Sequence, residues 1–149
     1  WAEYEDLIYD VFLSDFVNRA VSFQGLRVMS QYRPETRGKH YSFWHIISEA
    51  PDPENRNEED RIPDVRRCER IRWIRWAIES ADREECFWWE NQRGRDTHVV
   101  IWAKSHDYAV ILALRKGYYV LKTAYTRLSS HRVKRFQEEH DAFWKNKNG

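Results

Sequence analysis

The chain has little that could tie it together covalently or through a metal. Its 149 residues include two cysteines, Cys68 and Cys86. These form no CxxC pair and have no companion histidine at zinc-ligand spacing, so a disulfide framework and a zinc module are both disfavoured. Free thiols in a reducing, cytoplasmic setting are expected. HExxH, a paired aspartate cluster, a P-loop and the GxSxG elbow are all missing, which argues against zinc proteases, phosphate-loop NTPases and Ser-His-Asp hydrolases. No metal and no cofactor is therefore expected. No apolar run reaches the length of a membrane helix, and no basic-then-apolar leader is present. The sequence opens at Trp1 without methionine, which leaves removal of a preceding segment open.

A strong net charge is also lacking, since the formal total is +1. That sum conceals local blocks. Glu54 to Asp60 is acidic, while Arg66, Arg67, Arg70, Arg72 and Arg75 follow closely, so any polyanion would be met locally rather than by the whole surface. Aromatics are plentiful, with eight Trp, eight Tyr and seven Phe. A few such side chains can fill a core, and any left at the surface suit base stacking or a protein interface. The length fits a single domain over residues 1–149 that buries roughly two-thirds of its unfolded surface.

Apolar spacing predicts an amphipathic helix over about 3–20, with Tyr4, Leu7, Ile8, Val11, Phe12 and Phe16 on one face. Gly25 breaks it, and Leu26 to Tyr32 reads as extended up to Pro34. A basic turn, Arg37-Gly38-Lys39-His40, leads into Tyr41-Ser42-Phe43-Trp44-His45-Ile46-Ile47. Pro51 to Asn57 reads as a loop. Pro63-Asp64 opens a second helix running to about Ser80, with Ile71, Ile74 and Ile78 as its apolar stripe and Arg66, Arg70, Trp73 and Ala77 on a neighbouring face. From Cys86 the period becomes that of strands: 86–91, 98–103, 108–114 and 118–125, separated by short turns. A final helix begins near Ser129 or Ser130 and carries Val133 and Phe136 inward. The expected fold is α+β, with two N-terminal helices and a C-terminal helix packed on a four-stranded antiparallel β-meander.

Three segments, Phe43-Trp44-His45-Ile46, Asp64-Val65-Arg66-Arg67-Cys68-Glu69-Arg70-Ile71 and Leu121-Lys122-Thr123-Ala124-Tyr125, together with the order of helices and meander, resemble the barnase, EndoU, colicin and RelE-like superfamily of ribonucleases, in its phage and mobile-element branch. The likeness spans about residues 40–145. It implies a metal-independent endoribonuclease of toxin or phage-defence type, cleaving RNA by attack of the 2'-hydroxyl to leave a cyclic phosphate. It also implies a restraining antitoxin or immunity protein.

Such cleavage needs a base, an acid and donors that steady the phosphate. His45 titrates near neutrality and suits base or acid; it reads equally as a hydrogen-bonded core histidine. Thr123 and Tyr125 alternate onto one face of the last strand and would offer hydroxyls, with Lys122 turned to the opposite face if the strand is regular. Arg66 and Arg70, one turn apart, can grip a phosphate through forked donors or simply form a solvated face. Trp73 would be a stacking platform or core packing. His40 and Lys104 are candidate backbone contacts or ordinary turn residues, and His131, Arg132, Lys134 and Arg135 could extend a cationic track. The competing expectation is a non-catalytic RNA-binding or protein-interaction domain.

Overall fold

The computed structural model describes residues 1–49, 61–81, 83 and 86–148. The loop expected over residues 51–57 and the acidic segment 54–60 lie outside them. The C-terminal segments form β5 (Phe87–Arg93), β6 (Asp96–Ala103), β7 (Tyr108–Leu114) and β8 (Tyr118–Thr126). They pair consecutively and antiparallel, and the backbone reverses where Gly94, Asp107 and Gly117 take positive φ.

The expected four-stranded antiparallel sheet is nevertheless incorrect. The sheet has six strands in the order β1-β2-β8-β7-β6-β5. Here β1 (Ser22–Phe23) and β2 (Leu26–Ser30) form a short hairpin, and β2 runs parallel to β8, from Arg27 opposite Tyr118 to Ser30 opposite Leu121. The sheet is therefore mixed. Local periodicity can show that Leu26 to Ser30 is extended, but a parallel partner requires a long crossover and leaves no mark in the neighbouring sequence.

The helix count differs too, with five α-helices among the described residues rather than three. The first, α1 (Ala2–Phe12), passes into one π turn at Leu13–Val17 instead of continuing as a regular helix. Phe12 and Phe16 are buried, whereas Tyr4 and Leu7 are exposed. The second, α2 (Tyr41–Ile47), is a short helix. The long second helix expected from Asp64 is two pieces, α3 (Val65–Glu69) and α4 (Trp73–Glu79). Its break at residues 70–72 divides the face on which Arg66, Arg70, Trp73 and Ala77 were expected together. The last helix is α5 (Ser130–Asn148). Between α2 and α3, β3 (Ser48–Glu49) pairs with β4 (Ile62–Pro63).

Two apolar clusters lie on opposite faces of the sheet. One joins Phe12, Phe43, Ile47, Ile74 and Ile78 of the helices to Val99, Ile101, Leu112 and Leu121 of the strands. On the other, Phe136 of α5 packs on Trp89, Trp102 and Ile111. The edge of β8 is shared. β2 pairs with it as far as Leu121, and α2 then takes over through Ser42, whose hydroxyl donates to the Leu121 carbonyl at 2.9 Å and accepts from the Gln31 amide at 2.7 Å.

Ser42 is 1% exposed, so Ser42→Ala should strand both backbone groups and lower stability by about 1–3 kcal/mol in urea denaturation. Ser14→Ala, which removes only an exposed hydroxyl bonded to the Val11 carbonyl, should stay within about 0.5 kcal/mol of wild type. Equal effects of the two substitutions would contradict the role given to Ser42.

Candidate functional site

The last strand is irregular where the candidate residues lie. Ile111 is opposite Thr123 and Leu112 is opposite Leu121, so Lys122 is an extra, unpaired residue in a β-bulge. A bulge removes strict alternation and re-aims side chains. The expectation that Lys122 points away from the face of Thr123 and Tyr125 is thereby corrected: Lys122 lies two residues beyond Val120, which is opposite Ala113, itself opposite His98, and His98 shares a face with Val100 and Trp102 by its two-residue spacing along β6. Tyr125 packs against the same cluster as Val100 and Trp102. Lys122, His98 and Tyr125 thus belong to the face that α5 partly covers.

Thr123 is joined to α2, since its hydroxyl donates to the backbone carbonyl of His45 at 2.7 Å. The bond positions His45 but does not involve its imidazole. That ring is half-buried and packs against Tyr41 on the same helix, with centroids 4.2 Å apart. Thr123 therefore acts first as a link between strand and helix, its proton committed to the carbonyl.

Tyr125 has guanidinium groups near its ring from two helices. Arg132 of α5 lies 4.2 Å from the centroid and Arg67 of α3 lies 5.6 Å away. The two arginines differ in their other contacts. Arg67 is buried, donates to the Ser48 carbonyl at 3.0 Å, and approaches Glu49 at 3.5 Å and Asp64 at 4.0 Å, while its Nε has no hydrogen-bond partner among the described residues. Arg132 has no carboxylate partner among the described residues. Asp64 organises the base of this cluster. Its carboxylate caps α3, accepting from the amides of Arg66 and Arg67, and pairs with Arg127 at 3.0 Å. Burial alone would raise its pKa, but Arg127 and the two amides outweigh burial and hold it below the ordinary value.

The remaining candidates lie outside this cluster. Arg66 is exposed, and its carbonyl accepts from Arg70 at 3.1 Å. The Arg70 guanidinium sits 4.9 Å from the centre of Trp73. Trp73 in turn meets Tyr108, Trp76 and His106 edge-on, so it belongs to an aromatic cluster at the start of β7. A shallow groove includes Asp64, Arg66 and Arg127 in its lining but not His45, Thr123 or Tyr125. His40 lies elsewhere, bonded to the Ser30 hydroxyl at 2.8 Å and enclosed by Tyr9, Phe12 and Tyr32; burial lowers its pKa. Lys104 bonds Gln137 of α5 and covers the Trp102 ring. His45, Thr123 and Tyr125 are thus linked around α2 and β8, whereas His40, Trp73 and Lys104 have separate neighbours.

Arg67 and His98 were not singled out from the sequence. Arg67 lies within an arginine-rich run whose buried member periodicity does not reveal, and His98 looks like any residue of an alternating strand. Burial pushes the Cys68 thiol up to about 11, aided by Asp64, Glu69 and Glu5, which keeps it protonated. Among the described residues no group of three or more His, Cys, Asp or Glu side chains could hold a metal ion, and no helix is long and apolar enough to cross a membrane. Comparison with protein-family models, curated proteins and solved structures finds no match.

Thr123→Val should lower stability by about 1–3 kcal/mol by leaving the His45 carbonyl without its donor. Thr126→Val should be neutral or stabilising, because the Thr126 hydroxyl is buried without a partner among the described residues. Chemical denaturation of both variants distinguishes them, and the reverse order would refute the assignment of Thr123 as the link. The depressed pKa of Asp64 has its own signature. Its contribution is fully present above the unfolded value of 3.8 and is lost as pH falls through the lower folded value. The stability difference between wild type and Asp64→Asn should therefore narrow as the pH is lowered from 6 to ~2 in an acid-denaturation series.

Proposed function

We propose that the protein is a metal-independent endoribonuclease that works in the cytoplasm, of the toxin or phage-defence kind that its motifs resemble. The observation that carries this reading is the link from Thr123 to the backbone of His45 beside a tyrosine flanked by two guanidinium groups. In this mechanism the 2'-hydroxyl of the substrate loses its proton and attacks the adjacent phosphorus. The bond to the 5'-oxygen breaks, and that oxygen takes up a proton, leaving a cyclic phosphate and a free 5'-hydroxyl. His45 serves one of the two proton transfers, Tyr125 donates to a phosphate oxygen, and Arg132 and Arg67 offset the charge that gathers there. Thr123 positions His45, while Arg66 and Arg70 meet flanking phosphates. A ribonuclease of this kind requires an antitoxin or immunity protein to restrain it.

The second reading, an RNA-binding domain without catalysis, is favoured by a different observation. The Thr123 proton is already committed to a carbonyl and the Tyr125 ring is covered by Arg132, an arrangement suited to holding RNA without cutting it.

Incubation of end-labelled RNA with the protein in EDTA separates these readings. The nuclease predicts cleavage to a cyclic phosphate by wild type, a loss of about 10²-fold or more in His45→Ala, and a smaller loss in Arg132→Ala. RNA left intact by wild type, with binding retained in a gel shift, would replace the nuclease with the binding domain. Absence of both cleavage and binding would remove RNA from the proposal.

A further inference from the structure

His98 lies on the stretch of sheet that continues from Tyr125 toward the other end of the strands. It is opposite Asn91 of β5 and Ala113 of β7, and Ala113 is opposite Val120 of β8. By alternation these residues share the face of Val100, Trp102 and Ile111. Phe136 of α5 covers that face at Trp89 and Trp102, and farther along the strands the side chains become polar.

The charges around His98 are unbalanced. Burial does most to disfavour its protonated form; Asp96 acts in the opposite sense, and Lys122 from the bulge, Arg93 from the end of β5 and Arg115 just beyond β7 add to the effect of burial. Asp96 lies 4.0 Å from the His98 ring nitrogen and 3.7 Å from Arg115. On the α5 side Glu139 is bound by Asn91, Trp89 and Arg135. Neither Lys122 nor Arg93 has a carboxylate partner among the described residues. His98 itself is half-buried, with a side chain about one-fifth exposed. Arg93 is opposite Asp96 and two residues from Asn91, Lys122 is two residues beyond Val120, and Arg115 is held at Asp96, so by alternation three cations share the face of one imidazole and one carboxylate.

We infer that His98, Lys122, Arg93 and Arg115 form a phosphate-binding subsite, separate from the Tyr125 site and reached by a neighbouring phosphate of the same nucleic-acid strand. The continuation of a strand from one site to the other rests on the RNA reading above; the affinity for phosphate does not. Lys122 lies two residues beyond Val120 and so shares the His98 face, and the bulge brings Tyr125 onto that same face, because a regular β8 would turn Tyr125 to the opposite one. Lys122 and Tyr125 are three positions apart, on the order of 10 Å along a strand, which sets the substrate as one of several nucleotides rather than a single nucleotide. A bound dianion would replace the missing negative charge and favour imidazolium, reversing the direction in which burial and the three cations move His98.

The test follows the His98 ring resonance through a pH titration of the whole chain, assigned by its loss in His98→Gln. Inorganic phosphate should raise the titration midpoint by roughly half a unit or more relative to chloride at equal ionic strength. The rise should disappear in Lys122→Ala and shrink in Arg93→Ala, a substitution at an exposed position, but persist in Tyr125→Phe. A midpoint that phosphate and chloride move equally, or one that moves as far in both cation variants as in wild type, would overturn the subsite. For RNA, Lys122→Ala should weaken an uncleavable 2'-O-methyl octanucleotide about tenfold and leave a dinucleotide almost unaffected. An octanucleotide bound equally by wild type and Lys122→Ala would overturn the continuous track. Phosphate-responsive His98 in a protein that cuts no RNA would uphold the subsite and reject the nuclease, whereas cleavage with an unresponsive His98 would do the reverse.

Discussion

The hydrogen-bonding demand of one strand edge organises the molecule. β8 is flanked by β7 on one side, and its other side needs partners along its whole length, because a buried peptide group without one costs a few kcal/mol. β2 supplies them only as far as Leu121. At that point Ser42 bonds both the Leu121 carbonyl and the Gln31 amide, so one hydroxyl ends the strand pairing and starts α2. Thr123 reaches the carbonyl of His45 a little farther on. The replacement of a strand by a helix along this edge fixes where His45 lies.

The same replacement explains why the bulge falls at Lys122. Upstream of it β8 is held by strands on both sides, and downstream by β7 together with the His45 carbonyl of α2 and the Arg67 side chain of α3. A bulge allows the strand to change its twist between these two environments without breaking its pairing with β7. Its chemical consequence is large for one inserted residue. Lys122 keeps the face of Val120 and His98, and Thr123 and Tyr125 come to lie opposite Ile111 and Ala109, residues that pack beneath α5. Polar groups that a regular strand would divide between two faces are gathered near one.

Legibility in the sequence followed the range of the interactions. The four C-terminal strands and α5 were readable because Gly94, Gly117 and the serine at the helix start act within a few residues, and Ser129 does accept from the Arg132 amide at the first turn. The parallel pairing of β2 with β8 depends on contacts remote in sequence and was missed, as was the break between α3 and α4, where Arg70, Ile71 and Arg72 all have good helix propensity. In the candidate site, the likeness of three short motifs directed attention to His45, Thr123 and Tyr125. It did not show that Arg67 is the buried arginine of its run, nor that Lys122 escapes alternation, since both depend on what packs against them.

The difference between Arg67 and Arg132 bears on how the site could respond to a ligand. Arg67 is buried and tied to Ser48, Glu49 and Asp64, and withdrawing a buried charge from such partners is costly. It is a fixed part of the wall. Arg132 contacts the Tyr125 ring, an interaction of about 0.5–1 kcal/mol at a partly exposed position, and has no carboxylate to leave. A charge-assisted hydrogen bond to a phosphate is worth about 1.5–3 kcal/mol, enough to draw the guanidinium off the ring or to hold it there with a new partner. Either response uncovers or polarises the tyrosine as the anion arrives. The cations able to exchange partners, Arg132 and Lys122, thus flank the face of β8 that carries Tyr125, while those committed to carboxylates hold that face in place.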